Sequence, residues 1–324
     1  MKAISKVVIR LLLGIMFVIA AMLKLLSIDY FEIYIYSFNI FSFELTTVIS
    51  RLLICCELLL GFGLVFKICY RKVWWLSMLM IIGFTIFLLY VIAFRNDDNC
   101  HCFGELIRLN PSESIYKNVI SILLLLVVRR DNDYDYKQKV RKWILGVSVA
   151  ISIFLPFVVF PMDKLYNRII SKDNNINTVA FEKSLNDSTG IIRLNVVTEN
   201  DSLVILRDSF TKLDIADDRY IINYISAGCQ FCKMGANKLM MIMKHNEINK
   251  KHLKFIVWGY DADILDFMKE TKTMDCEYWF INPMTSFNIT YGKFPIFVWT
   301  EYGLIVDSGD LRDLDENQII EFMK

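Results

Sequence analysis

Long apolar segments alternate with short polar connections over the first half of the chain. Each of five segments is near or slightly short of the ~20 residues that an α-helix needs to cross the hydrocarbon core of a bilayer. A secretory signal peptide is the alternative for the first segment, but this run is long and has no small-x-small cleavage site before Lys24. We predict membrane-spanning helices at Val7–Ile28, Thr47–Phe66, Val73–Phe94, Ser114–Val128 and Trp143–Phe160.

In the second half of the chain, short β-type runs alternate with amphipathic helices. This order, with a hairpin at residues 301–303, predicts a mixed sheet covered by helices on both faces. Between the two halves, the polar segment from Asp163 to about Thr189 predicts a tether. The predicted strands are Ile191–Val197, Ser202–Leu206, Arg219–Ile225, Leu253–Trp258, Glu277–Ile281, Ile296–Thr300 and Leu304–Asp307. The predicted helices run from Cys229 to about Lys244, from Asp261 to Lys269, briefly after Pro283, and from Asp315 to Lys324.

Composition agrees with a membrane protein. The chain of 324 residues is 55% hydrophobic and 14% aromatic, with a mean hydropathy of +0.41, which is too apolar for an ordinary soluble protein. Its length leaves room for two domains. The net charge of +1, without a basic stripe, argues against a nucleic-acid partner.

Basic residues in the connections predict the orientation. Three basic clusters alternate with connections at Asp29–Glu44 and Arg95–Glu113, in which acidic residues are at least as common. Because short cytoplasmic loops are enriched in Lys and Arg, we expect a multi-pass protein of the bacterial cytoplasmic (inner) membrane. Its N-terminus would be cytoplasmic, and everything after Pro161 would be extracytoplasmic. The clusters are Lys2, Lys6 and Arg10; Lys67, Arg71 and Lys72; and Arg129, Arg130, Lys137, Lys139, Arg141 and Lys142.

Two cysteines three residues apart open the helix that follows an apolar strand. A thiolate at a helix start is stabilised by free backbone N–H groups, so Cys229 is expected to have a lowered pKa and to be the attacking nucleophile. Cys232, one turn later, is placed to resolve a mixed disulfide. The alternatives are a structural disulfide or half of a zinc site. A zinc site needs two more ligands, and no metal is expected, because only Cys276 remains in this half and His245 and His252 lack finger spacing.

Residues 190–324 resemble a thioredoxin-like domain of the kind found in extracytoplasmic disulfide exchange. The resemblance rests on Cys229-Gln230-Phe231-Cys232 after a strand and on Phe294-Pro295 before the hairpin. It implies a cis peptide bond at Pro295, which in that family packs against the active-site disulfide. The chain departs from the family pattern at Gly228, where tryptophan is usual, and at Gln230-Phe231, where Gly-Pro is usual. Dipeptide changes there shift the reduction potential, so the direction of electron flow stays open.

A second cysteine pair, Cys100 and Cys102, lies at the predicted outer end of the third span. It therefore faces the same oxidising compartment as the first pair and is placed to exchange a disulfide with it. The two thiols are expected either to form a strained disulfide or to act singly. His101 between them is either a group that moves protons or lowers a thiol pKa, or an ordinary loop histidine.

Residues 6–128 resemble the four-helix MauE/DoxX family, named for methylamine utilisation. The most specific feature is Cys100-His101-Cys102-Phe103-Gly104; the others are Arg10, Gly14, Phe17, Lys24-Leu25, Glu57 and Gly61. Membership implies a role in forming disulfides in extracytoplasmic proteins. The family is compared with membrane disulfide oxidoreductases that use quinones, which implies a membrane quinone as redox partner and no covalently bound cofactor. The resemblance by itself does not imply that this chain acts in the methylamine pathway.

Glu57 lies in the middle of a predicted span, where an ionised carboxylate is costly. We expect it to be protonated, paired, or both. Its functional interpretation is a proton relay for quinone chemistry, and its structural one is a packing partner for Arg51 or Lys24.

These features predict a membrane-bound thiol–disulfide oxidoreductase that exchanges disulfides between its two cysteine pairs and extracytoplasmic cysteine-containing client proteins. One alternative is a transmembrane reductant conduit through Cys55, Cys56 and Cys69, although free cysteines are commonly small buried hydrophobic residues. Another is a non-catalytic membrane maturation or assembly factor of the methylamine-utilisation type. The predicted domains are a four-helix membrane domain (1–130), a basic cytoplasmic loop with the fifth helix (131–162), the tether (163–189) and the thioredoxin-like domain (190–324).

Overall fold

The computed structural model describes residues 3–95, 97, 99–104, 107, 109–129, 138–162, 176–186, 191–199 and 202–324. The chain forms two compact units, Met1–Met162 and Asp163–Lys324. Among the predicted features, Lys2, Arg130, Lys137 and the tether segments 163–175 and 187–189 lie outside the described residues.

The first unit is built from helices. Five of them are long and apolar enough to cross a membrane within the described residues, judged by length and composition, which confirms the five predicted spans. Each begins three to five residues earlier than predicted. In α4 and α5, for example, polar residues form helical backbone ahead of the apolar run, namely Arg71 and Lys72 and then Ser112 and Glu113. The helices are α1 Ala3–Leu26, α2 Ile28–Tyr36, α3 Phe43–Phe66, α4 Tyr70–Phe94, α5 Pro111–Val128 and α6 Gln138–Phe154, which continues as a π-helical turn, Leu155–Val159.

Helix α2 corrects the prediction that residues 29–44 are a plain connection. Its nine residues bury Phe31, which packs with Leu25 of α1 and Leu58 of α3 in one apolar cluster. The apolar face of so short a helix spans too few turns to give a clear periodic pattern in the sequence. The helix is stabilised by tertiary packing rather than by the helix propensity of its residues.

The second unit contains a seven-stranded mixed sheet in the order β2-β1-β5-β4-β3-β6-β7. β3 pairs with β4 and β4 with β5 in parallel, and the other pairs are antiparallel. The predicted strands and helices are all present, with ends that differ by at most two residues. The strands are β1 Ile191–Glu199, β2 Ser202–Asp208, β3 Arg219–Ser226, β4 Leu253–Trp258, β5 Glu277–Ile281, β6 Ile296–Glu301 and β7 Leu304–Gly309. The helices are α7 Thr178–Asn186, α8 Gln230–His245, α9 Asp261–Glu270, α10 Pro283–Thr290 and α11 Glu316–Met323.

Helix α7 corrects the prediction that residues 163–189 are a tether throughout. Phe181 is fully buried, and its ring centroid lies 6.4 Å from that of Tyr224 in β3. The Asn177 N–H donates to the Ile289 carbonyl at 2.9 Å. The segment is polar in composition, but its apolar side chains Ile176 and Phe181 are buried in the core of the sheet domain.

Candidate functional site

The cysteine turn of the second unit, here called the CxxC pair (Cys229 and Cys232), follows the buried central strand β3. The Ala227 N–H donates to the Trp258 carbonyl at 3.1 Å, which holds the end of β3 against the end of β4. Cys229 is the N-cap residue of α8, with an extended backbone conformation. Its sulfur accepts the Cys232 N–H at 3.4 Å, so the side chain satisfies a free donor of the first helical turn.

The two thiols of the CxxC pair have opposite properties. A hydrogen bond from the Cys232 thiol, assisted by backbone N–H groups of the first turn, lowers the pKa of Cys229 to about 6. Burial, followed by the hydrogen bond to Cys229, raises the pKa of Cys232 well above its usual range. Cys229 is half-buried and Cys232 is 0% exposed. The expected order of reactivity follows, with Cys229 attacking first and Cys232 second.

Pro295 lies beside the first turns of α8. The Phe294–Pro295 peptide bond is cis, which confirms the sequence prediction. Gly235 allows the helix to approach, because a Cβ at this position would lie 3.1 Å from Pro295 Cγ and 2.9 Å from Phe297 Cζ.

Exposed apolar side chains follow the ends of three neighbouring strands. β3, β4 and β5 are parallel, so their carboxyl ends lie at one edge of the sheet, the edge that carries Cys229. Phe231 is 60% exposed, Tyr260 after β4 is 82% exposed, and Met284 after β5 is 73% exposed. Large apolar side chains exposed at the sheet edge that carries a reactive thiol are suited to contact another protein.

The second pair sits in the connection between α4 and α5, here called the CxC loop (residues 99–104). The Cys100 N–H donates to the Leu109 carbonyl at 3.0 Å, and the Cys100 sulfur lies 2.9 Å from the Ser114 hydroxyl. The Cys102 N–H donates to the Cys100 sulfur at 3.4 Å. Both cysteines are free thiols in this structure.

The two thiols of the CxC loop differ in pKa in the same way as those of the CxxC pair. A hydrogen bond from the Cys102 thiol lowers the pKa of Cys100 to about 6, with help from the Ser114 hydroxyl and the charge of Lys117. The same hydrogen bond, together with burial, raises the pKa of Cys102 well above its usual range. Accessibility is reversed, because Cys100 is only 3% exposed and Cys102 is partly exposed.

The CxC loop packs on the C-terminal end of α1. Gly104 has a left-handed backbone, with φ of 66°, and a Cβ there would collide with the Ser27 hydroxyl and the Leu23 carbonyl. The α2–α3 connection lies at the same end, since the Arg95 guanidinium at the end of α4 donates to the Ser37 carbonyl at 3.2 Å.

The basic connections meet at the opposite end of the bundle. The Tyr70 hydroxyl at the start of α4 donates to the Val128 carbonyl at the end of α5 at 2.8 Å. The Arg141 guanidinium at the start of α6 lies 3.5 Å from the Cys69 sulfur. Helix α6 therefore starts at the basic end, and it finishes at the CxC end, where Arg51 of α3 donates to the Phe160 and Pro161 carbonyls at 3.2 Å.

Comparisons with known proteins find a family match for the first unit and a relative along most of the chain. Residues 1–129 match the family described as methylamine utilisation protein MauE. The first unit contains a MauE-family domain. Protein TlpB of Flavobacterium psychrophilum is 27% identical over 305 residues, which cover 81% of this chain and 79% of that protein. The five apolar helices and this relationship make the chain a membrane protein.

The second unit has the thioredoxin-like fold that the sequence resemblance implied. Among solved structures, the thioredoxin domain of a thiol-disulfide oxidoreductase from Bacteroides vulgatus is 17% identical, with a TM-score of 0.29, over 41% of this chain and 94% of that chain. A secreted disulfide oxidoreductase of Mycobacterium tuberculosis is 11% identical, with a TM-score of 0.26, over 33% of this chain and 80% of that chain.

Two buried ion pairs cross the MauE-family domain. Glu57 of α3 pairs with Lys24 of α1, one of the two partners expected from the sequence. The other expected partner, Arg51, pairs instead with Glu32 of the unpredicted helix α2. Charges are costly inside a membrane-spanning bundle, so each pair ties its two helices together.

The remaining cysteines of the MauE-family domain are spread along α3 and its end. Cys55 is buried and Cys56 is exposed on α3, whereas Cys69 precedes α4 at the basic end. The rise along α3 separates Cys55 from the end of the helix by roughly 16 Å. The structure therefore brings Cys69 next to Arg141 rather than next to Cys55 or Cys56.

Sequence reasoning missed two residues that act on the CxC loop, Ser114 and Lys117. In the sequence, Ser114 is only the start of a predicted span. Lys117 lies in the same span, where a lysine in an apolar helix is itself a signal of a functional position. His101 has a left-handed backbone, with φ of 52°, and its ring centroid lies 4.5 Å from that of Tyr34. The groups that lower the pKa of Cys100 are Cys102, Ser114 and Lys117, and His101 is not among them.

Proposed function

We propose that this protein is a membrane-bound thiol–disulfide oxidoreductase in which the CxxC pair exchanges disulfides with client proteins and the CxC pair reoxidises it. The observation that carries the proposal is the shared asymmetry of the two pairs. In each, the backbone N–H of the second cysteine donates to the sulfur of the first at 3.4 Å. The first thiol has a pKa lowered to about 6, and its partner has a raised pKa.

The client step uses the thioredoxin-like domain in its disulfide form. A client thiolate attacks Cys229, the more accessible sulfur, and Cys232 leaves; a second client thiolate then releases Cys229 as a thiolate of low pKa. The client gains a disulfide and the CxxC pair gains two electrons. The exposed apolar side chains at the same edge, Phe231, Tyr260 and Met284, would contact the client chain.

The resetting step fits the reversed accessibility of the CxC loop. The Cys229 thiolate attacks Cys102, the partly exposed sulfur of a Cys100–Cys102 disulfide, and Cys100 leaves. A thiol of low pKa is the better leaving group, and the pKa of Cys100 is about 6. Cys232 then attacks Cys229 and displaces Cys102, so the CxxC disulfide is restored and the CxC pair is reduced.

The proposed location is a bacterial cytoplasmic membrane, with the N-terminus in the cytoplasm and both cysteine pairs outside. Support comes from the placement of the described basic residues at one end of the bundle and of the CxC loop at the other. Because basic loops are retained in the cytoplasm, the CxC end and the chain that leaves it after Pro161 would face the oxidising side.

Trapping of mixed disulfides tests the proposal. In Cys232→Ser, the second thiol is missing, so Cys229 should accumulate reductant-sensitive adducts with client proteins and with Cys102 of the same chain. The matched control is Cys276→Ser, which changes a thiol away from the CxxC pair and should trap nothing. The double variant Cys229→Ser, Cys232→Ser lacks both sulfurs and should form none of these adducts. If Cys232→Ser cells form no adduct that depends on Cys229, the proposed exchange is wrong.

A further inference from the structure

A large apolar cavity lies inside the MauE-family domain beside the CxC loop. Its volume is about 670 Å³, and α2, α3 and α4 supply most of its wall. The aromatic rings of Phe31, Phe38, Phe84 and Phe87 line it. A cavity of this size and polarity is suited to a flat ring compound with an apolar tail.

The wall of this cavity reaches the outer surface of the bundle. Leu76 and Leu79 of α4 line it and are 55% and 70% exposed, and Ile40 in the α2–α3 connection is 69% exposed. Exposed apolar side chains on a membrane-spanning helix face lipid. A ligand would therefore enter from the hydrocarbon phase, which selects lipid-soluble compounds.

The polar groups on the wall are concentrated at the redox pair. Cys100, Cys102 and Lys24 all line the cavity, and the Lys24 ammonium lies 5.3 Å from the ring centroid of Phe84. A compound in this cavity would thus lie against both thiols of the CxC pair and against a hydrogen-bond donor that carries a positive charge.

A second, much smaller cavity adjoins the same residues. Its volume is about 30 Å³, enough for a water molecule. Lys24, Phe84 and Cys102 line both cavities, and Glu57 and Lys117 line only the small one. The Glu57 Oε2 atom is buried there and accepts no hydrogen bond within the described part of the chain. The thiol of Cys102 thus has an apolar cavity on one side and a group of ionisable side chains on the other.

We propose that the large cavity binds a membrane quinone, with Lys24 donating to a carbonyl oxygen, and that the quinone is the electron acceptor of the CxC pair. This inference rests on the proposed function. As the Cys100–Cys102 disulfide forms, the two thiols release two electrons and two protons, and the quinone takes up two of each to leave as quinol. Lys24, Glu57 and a water molecule in the small cavity would carry the protons.

The test uses the full-length protein in quinone-free phospholipid nanodiscs. Gly83 of α4 lines the cavity, and a Cβ at this position meets no atom within 4 Å, so Gly83→Phe fills the cavity without a collision in the helix. Gly146 of α6 is equally open but does not line the cavity, so Gly146→Phe is the matched control. Binding is measured by photolabelling with an azidoquinone, in competition with decylubiquinone. Oxidation of Cys100 and Cys102 is measured anaerobically by thiol mass-tagging.

We expect Gly83→Phe to lower specific photolabelling and quinone-dependent CxC oxidation at least tenfold, and Gly146→Phe to change neither. Equal labelling of the two variants would overturn the proposal. Displacement of the label by phospholipid as readily as by decylubiquinone would also overturn it, because the cavity would then be a groove for lipid acyl chains. A separate reaction keeps the proposed function distinguishable. Diamide first oxidises the CxC pair in the absence of quinone. Transfer of that disulfide to a reduced CxxC pair then tests the exchange by itself. If transfer occurs but no quinone binds, only the quinone site is refuted.

Discussion

Reactivity in this chain is decided by the immediate surroundings of each sulfur. Cys229 caps a helix and accepts hydrogen bonds, whereas Cys276, in the same thioredoxin-like domain, is half-buried beside Asp275. Burial and this neighbouring carboxylate raise the pKa of Cys276 to about 12. The sequence prediction of a lowered pKa at Cys229 needed only the position of the cysteine at a helix start, which local sequence encodes.

The rate of alkylation of Cys229 by iodoacetamide should rise with pH, with a midpoint near pH 6, and level off above it. The reason is that the thiolate reacts and its pKa is lowered to about 6. Mass spectrometry of the reduced protein at several pH values measures this rate. Cys276 serves as the internal control and should react at least ~100-fold more slowly at pH 7. A Cys229 midpoint near pH 8.5 would contradict the described hydrogen bonds.

The pair of Lys24 and Glu57 predicts a non-additive effect on stability. Lys24→Met should lower the free energy of unfolding by about 3–5 kcal/mol, because it leaves a buried carboxylate without its counter-charge. The double variant Lys24→Met, Glu57→Leu removes both charges and should recover most of this loss. Unfolding in mixed micelles with increasing SDS measures both values. Equal destabilisation in the single and double variants would show that the pair is not the source of the effect.

At the scale of elements, α1 and α3 approach each other through two glycines. A Cβ at Gly61 would lie 2.7 Å from Val18 Cγ2 and 2.9 Å from the Gly14 carbonyl oxygen. Small residues at a crossing let two membrane helices pack backbone to backbone. The sequence resemblance singled out both glycines, but only the structure shows that they face each other.

Gly61→Val should therefore push α1 away from α3 and destabilise the MauE-family domain by roughly 1–3 kcal/mol. Thermal unfolding in detergent, followed by circular dichroism, measures the change. Gly83→Val is the control, since a Cβ there meets no atom within 4 Å. If both variants unfold at the same temperature, the close crossing does not limit stability.

Helix α7 makes a separate prediction about the predicted tether. Phe181→Ala should destabilise the thioredoxin-like domain by about 3–5 kcal/mol, because Phe181 is fully buried in its core. Val179→Ala in the same helix changes a side chain that is 74% exposed and should shift stability by less than about 0.5 kcal/mol. Denaturant unfolding of the compact unit, residues 163–324, compares the two. Equal midpoints for the two variants would mean that α7 is not part of the folded core.

For the whole molecule, the orientation is open to direct measurement. A membrane-impermeant maleimide applied to intact cells should label Cys229 and leave Cys69 unmodified until the membrane is permeabilised. The basic residues around Cys69, including Arg141, are expected to stay in the cytoplasm. Single-cysteine variants that keep one of the two thiols make the readout specific. Labelling of both from the same side would contradict the proposed topology.

Most of the architecture could be predicted from local sequence patterns, and the rest depends on long-range packing. The spans, the strands and the reactive position of Cys229 follow from runs of a few to about twenty residues. Helix α2 and the burial of Phe181 depend on residues distant in sequence. So do the hydrogen bond of Ser114 to Cys100 and the effect of the Lys117 charge on the CxC pair. A cavity has no local signature, because its walls come from several helices, and so the volume beside Cys100 and Cys102 was invisible in the sequence.

Gly104 links the depth of the CxC loop to the length of α1. With no room for a side chain at Gly104 above the Leu23 carbonyl, the loop rests directly on the end of α1. Lengthening or shortening α1 by a turn would accordingly move both sulfurs along the bilayer normal. The helix acts as a spacer that determines how deeply the thiols sit, and therefore whether a partner confined to the lipid phase can reach them.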